Sequence, residues 1–197
     1  MKQLFILLTA VMLAVSVNGQ KHSYIELAGF TTQTAMPFAK FSGLFKTVLH
    51  PGIEIAVGKT FRQKPKHDWF AEIRLAYFYH RFVQHGLPLY ITTGYRHTIY
   101  KRFAADLSAG AGYMQSIPAT AKFKLADNGE YVKNTGAGRM QAIATFGIGL
   151  RYKTSGSAGV FMNYQQRIQF PFVRSYVPLL PYNSLFIGIS KTLHHHS

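Results

Sequence analysis

Residues 140–152, MQAIATFGIGLRY, decide the fold. Their even positions, Ala142, Ala144, Phe146, Ile148, Leu150 and Tyr152, are apolar. Their odd positions, Gln141, Thr145, Gly147, Gly149 and Arg151, are polar or tiny, with Ile143 the exception. A helix would scatter both sets around its surface, whereas a strand sorts them onto two faces. The stretch predicts a strand with an apolar side and a polar side.

Seven more segments alternate in the same way, near 23–31, 52–62, 69–82, 87–98, 102–116, 158–169 and 182–193. On the third, Trp69, Ala71, Ile73, Leu75, Tyr77 and Tyr79 form the outward set. Glu72, Arg74, Ala76 and His80 oppose them, together with Phe70 and Phe78. On the fifth, Phe103, Ala105, Leu107, Ala109, Ala111 and Tyr113 oppose Ala104, Asp106, Ser108, Gly110 and Gly112. Most segments have the length a tilted membrane strand needs. The connections 63–68, 99–101 and 153–157 read as short turns. Those at 32–51, 119–139 and 171–181 are long, and a short one falls at His85-Gly86. Short turns on one rim and mostly long loops on the other match the two sides of a bacterial barrel.

The N-terminus adds a destination. Lys2 precedes an unbroken apolar run from Leu4 to Val15, and Val17-Asn18-Gly19 offers small residues for cleavage. Residues 1–19 therefore read as a secretory signal peptide, and 20–197 as one domain. No later apolar run approaches the length of a membrane helix, which excludes a helical membrane protein. Aromatics nevertheless make up 15% of the chain, with 12 Tyr and 17 Gly, and there is no Cys to form a disulfide or carry a lipid. The expectation is all-β: a single eight-stranded antiparallel up-and-down transmembrane β-barrel in the cell outer membrane. An even strand count puts both ends on one side and permits antiparallel closure.

HPGIEIAVG (50–58), AYFYHRFVQHGLPLY (76–90) and GYMQSIP (112–118) carry a resemblance that covers essentially the whole of 20–197. The chain resembles the small eight-stranded outer-membrane barrels, the architecture of the outer-membrane protein A and X membrane domains. It is similar to uncharacterised outer-membrane barrels of the Bacteroidota. Its shared motifs are architectural and not catalytic. The resemblance implies a closing aromatic residue, but the last strand ends Lys191-Thr192-Leu193. Either Leu193 substitutes, or assembly reads another feature.

The strand phase sends Glu26, Glu54, Glu72 and Asp106 inward, with Arg62, Arg74, Arg96, Arg151 and Arg167. Eight strands enclose an interior that side chains fill. Charges there must be paired, so the expected site is an interior Glu/Arg network that fills and stiffens the barrel. Trp69, Tyr79, Tyr95, Tyr113, Tyr152 and Tyr164 are expected as membrane-interface anchors, apolar ring in and polar tip wet.

Net charge is +15 with only seven acidic residues, so anionic neighbours are expected. Export makes these lipopolysaccharide and phospholipid headgroups, or other outer-membrane proteins in a larger assembly, and not nucleic acid. Lys64, Lys66, Lys101, Arg102, Lys153 and Lys191 crowd the periplasmic rim. Lys40, Lys46, Lys122, Lys124, Lys133 and Arg174 fall on the outer one.

Three functions are weighed. The favoured one is a non-enzymatic barrel with a filled polar interior. The second is a carrier of small apolar molecules through a lateral opening in the wall, with Phe30, Phe78, Met114 and Ile143 lining a pocket. Pro88, Pro118 and Pro171 would interrupt strand pairing beside it. The third is a rim lipid A hydrolase or acyltransferase using His80, His85 and Ser116, for which Asp127 and Glu130 are the nearby acids. No G-x-S-x-G or equivalent spacing supports catalysis. No cofactor is expected, and His194 to His196 form a tail without a second ligand cluster, so no physiological metal is expected either.

Overall fold

A computed structural model describes residues 23–35, 49–81, 83–120, 122–125, 129–134, 138–154, 156–171 and 179–193. Among these every element is a strand: β1 (Ser23–Thr34), β2 (Pro51–Lys64), β3 (His67–His80), β4 (Gln84–Tyr100), β5 (Phe103–Pro118), β6 (Lys122–Leu125), β7 (Tyr131–Asn134), β8 (Arg139–Lys153), β9 (Ala158–Phe170) and β10 (Leu180–Leu193). Eight of them close a barrel in the order β1-β2-β3-β4-β5-β8-β9-β10, and β10 returns to pair with β1. All neighbouring pairs are antiparallel. Closure leaves no unpaired strand edge, which a hydrocarbon solvent would not tolerate.

The alternation works as the sequence indicates. Along β3, residues 70, 72, 74, 76, 78 and 80 are buried and those between are open to the outside. The outward side carries Leu27, Ile55, Leu75, Ile91, Leu107, Ile148, Leu150, Ile187 and Ile189, a continuous apolar band around the wall. Ile143, the exception in the opening stretch, faces inward and is buried in an interior apolar layer.

Several connections differ from the expectation. The turn placed at His85-Gly86 does not fall there: β3 runs to His80 and β4 starts at Gln84, with Tyr79 and Phe78 paired with His85 and Gly86. The turn at 63–68 shrinks to Pro65-Lys66, and β1 runs on to Thr34. The loop at 119–139 is not all loop: β6 and β7 pair as a separate small hairpin. The expected signal peptide, residues 1–19, and residues 36–48 lie outside the described residues.

One packing device recurs around the barrel. Tyr24, Phe30, Phe70 and Phe78 each stand directly opposite a glycine on the next strand: Gly58, Gly52, Gly94 and Gly86. A Cβ at any of these glycines would come within 2.3–2.4 Å of the facing ring. The missing side chain is the seat of the ring. Each pair fills the narrow lumen with one aromatic where two side chains would collide, and the ring shields the glycine backbone. This sets the cross-section that the polar residues then have to share.

Candidate functional site

The short turns and the two ends near Ser23 and Leu193 mark the periplasmic rim. From there the interior is layered. Arg74 on β3 holds three carboxylates at once. Its Nε and Nη2 donate to Glu72 Oε2 (2.8 and 2.6 Å), Nη1 donates to Glu54 Oε1 (2.5 Å), and Nη2 reaches Glu26 Oε2 (3.3 Å). Arg151 donates to Glu26 Oε1 (2.5 Å) and Asp106 Oδ2 (3.3 Å), and Arg96 grips both oxygens of Asp106 (2.8 and 3.0 Å). Neutral donors complete the shell. Tyr24 and Thr92 hydroxyls donate to Glu72 (2.7 and 3.0 Å), and Tyr90 donates to the second oxygen of Glu54. Three arginines thus serve four carboxylates through contacts that reach across six strands. Charges so enclosed are tolerated only with such complete pairing.

Two members of the expected network differ. Arg167 is fully buried, yet among the described residues no carboxylate pairs with it; its Nη2 donates to Gln165 Oε1 (3.2 Å) while Nε and Nη1 have no partner among them. Its guanidinium instead lies 5.4 Å from the Tyr90 ring centre and 5.8 Å from that of Phe78. Facing rings offset part of the desolvation cost, as cation–π contacts do. Arg62 follows a register shift between Thr60 and Arg62, and its backbone pairs with Trp69. Its side chain lies outside the description.

Above the charges comes an apolar layer of Phe30, Phe78, Met114, Ile143 and Phe186. Phe30 stacks on Phe186 (centroids 4.5 Å apart) and meets Phe78 edge-on (6.4 Å). These residues pack on one another; Phe30, Phe78, Met114 and Ile143 are the ones expected to line an apolar pocket. Pro88 does interrupt pairing: between β3 and β4 the ladder runs from Leu75↔Leu89 to Phe78↔Gly86, with two positions skipped and no register shift. Above this layer, Gln84 donates to Gln169 (3.0 Å) and Tyr182 (2.9 Å), and Ser184 to Thr32 (2.8 Å).

The rim residues considered for catalysis are dispersed. Ser116 donates to Gln84 and not to a histidine. His85 is outside, bonded to the Tyr77 hydroxyl (2.9 Å). His80 faces inward and stacks on His50 with centroids 3.7 Å apart. Burial, with His80 as neighbour, holds His50 below the usual imidazole range. Asp127 lies outside the described residues. Glu130 is exposed beside the β6–β7 hairpin. His50 reads from the sequence as a loop residue; the β2–β3 register, with Gly52 opposite Phe78, is what brings it to His80.

Of the expected anchors, Trp69 and Tyr152 stand near the periplasmic ends of their strands, Tyr79 at the outer end of β3, and Tyr113 toward the outer end of β5. Tyr95 bonds His67 outside the wall. Tyr164 differs from the others: it stands midway along β9, opposite Leu185 and Ile148. Phe61, Tyr100 and Phe103 add exposed aromatics at the periplasmic end. The outer-rim Lys40, Lys46 and Arg174 lie outside the described residues, as do the side chains of Lys122, Lys124 and Lys133.

The crystal structure of Neisserial surface protein A is similar to this chain, with a TM-score of 0.57 at 8% identity, covering 87% of this chain and 96% of that one. The N-terminal β-barrel domain of Pseudomonas aeruginosa OprF gives 0.46 at 17% identity, covering 88% and 99%. No protein-family model matches the chain, and no curated protein matches it in sequence. The fold is that of the small eight-stranded outer-membrane barrels. With its apolar outer band, the chain is an outer-membrane β-barrel.

Proposed function

We propose that this chain is a non-enzymatic barrel with a filled interior that acts as a structural, accessory or interaction protein. Its partners on this reading are lipopolysaccharide and phospholipid headgroups, and other outer-membrane proteins in a larger assembly. The observation that carries it is the interior itself. Arg74 locks three glutamates into the wall-to-wall network, and the apolar layer above is packed ring on ring. A lumen spent on stiffness leaves the rims and outer wall as the working surfaces. The strong positive balance of the chain suits anionic neighbours there. The dispersal of Ser116, His80 and His85 supports the non-enzymatic part, since a serine nucleophile needs a base within hydrogen-bond reach.

Gentle purification from native membranes tests the reading. The expected result is a preparation carrying lipopolysaccharide or a second membrane protein in fixed proportion, with the lipid A mass profile of the cells unchanged by His80→Ala or Ser116→Ala. A bare monomer, together with a lipid A profile that shifts in either variant, would favour the rim enzyme.

A further inference from the structure

The periplasmic mouth is not filled like the rest of the lumen. It holds a cavity of about 450 Å³ between the ends of the strands. Six cationic residues line it, Lys64, Arg96, Lys101, Arg102, Arg151 and Lys153, against one acid, Asp68. Arg96 and Arg151 form its floor and are already committed to Asp106 and Glu26. Among the described residues the other four form no ion pair with a carboxylate. They stand around the opening on different turns and strand ends: Lys64 before the β2–β3 turn, Lys101 and Arg102 between β4 and β5, and Lys153 closing β8. Like charges gathered around one low-dielectric mouth repel one another and focus a positive potential into it. That arrangement favours an anion inside the mouth.

We propose that this mouth binds an acidic segment of a periplasmic polypeptide, with Lys64, Lys101, Arg102 and Lys153 holding its carboxylates. Three features choose this ligand. The cations are spread around a ring instead of converging on one point, which suits several separated charges better than one small anion. The cavity has room for on the order of fifteen waters, at about 30 Å³ each, and so for a few residues of chain. Hydroxyls of Ser157, Ser190 and Thr192 on its wall can serve a peptide backbone. Lipid headgroups lie outside the wall, where Lys191 points, opposite Ile25. The inference does not depend on what the outer rim contacts.

The test uses the purified barrel in zwitterionic detergent, with a fluorescent hexaglutamate peptide as probe and hexalysine as control. Saturable binding of hexaglutamate alone is expected, weakening as salt rises and the screening length falls from about 10 Å at 0.1 M toward about 3 Å at 1 M. The double variant Lys64→Glu/Lys153→Glu should bind at least about tenfold more weakly, and Lys191→Glu as the parent does. Lys64→Gln/Lys153→Gln serves if charge reversal prevents folding, judged by the heat-modified gel shift, and should also weaken binding. Unchanged binding in the mouth variants would overturn the proposal. Equal weakening by Lys191→Glu would point to the lipid-facing rim instead. Displacement by inorganic phosphate, beyond that of chloride at equal ionic strength, would mark a single-anion site and overturn it too.

Discussion

Arg74→Met should unfold the barrel at a much lower temperature than the parent, read as the loss of the heat-modified gel shift. Methionine keeps an apolar stem in place of the arginine's but removes the guanidinium that three buried glutamates share. Glu72 and Glu54 keep only their tyrosine and threonine donors, and Glu26 keeps Arg151. Breaking a buried pair from one side costs about 3–5 kcal/mol, because the partner charge stays behind. Lys66→Met, in the exposed β2–β3 turn, should melt with the parent, since exposed charges contribute little. If the two variants melt alike, the glutamates are protonated or wetted in the folded barrel and the network is not what stiffens it.

Phe78→Ala should be nearly as damaging, for a different reason. Phe78 is fully buried, meets Phe30 and Tyr182 edge-on, and lies over Gly86, which has no side chain to refill the space. Truncating a buried Phe costs about 3–5 kcal/mol when the surroundings cannot collapse. Here they cannot, because the closed hydrogen-bonded wall holds them apart. Phe78→Leu should recover most of the loss. Urea unfolding in detergent gives the comparison. A loss below about 1 kcal/mol for Phe78→Ala would mean that the apolar layer is loosely packed and could admit a ligand.

The period-2 alternation made the wall legible because each side of a membrane strand meets a different solvent. The outward Ile148 and Leu150 and the inward Arg151 could be sorted from the string alone. The inward phase of Glu54, Glu72 and Asp106 followed in the same way. Which arginine serves which acid could not follow, because it depends on register across several strands. Arg167 shows this most clearly: its phase is inward like that of Arg74, but its level in the barrel brings it rings instead of carboxylates. The aromatic–glycine seats were hidden for the same reason, since Phe30 and Gly52 are partners only once β1 and β2 are in register. Gly86 read as a turn residue because turns favour glycine, whereas its role is to make room for Phe78. The β6–β7 hairpin was obscured by glycines around it and by YVKN, which does not alternate although KFKL does.

The filled interior is tested most directly by single-channel recording in a planar bilayer, in which the purified, refolded barrel is inserted at physiological salt. With the Arg74 network and the Phe30–Phe78–Phe186 layer stacked across the lumen, the parent protein should insert without a stable conductance above background. A reproducible, long-lived open level in the parent protein would contradict it, because ions could then pass where the side chains are placed.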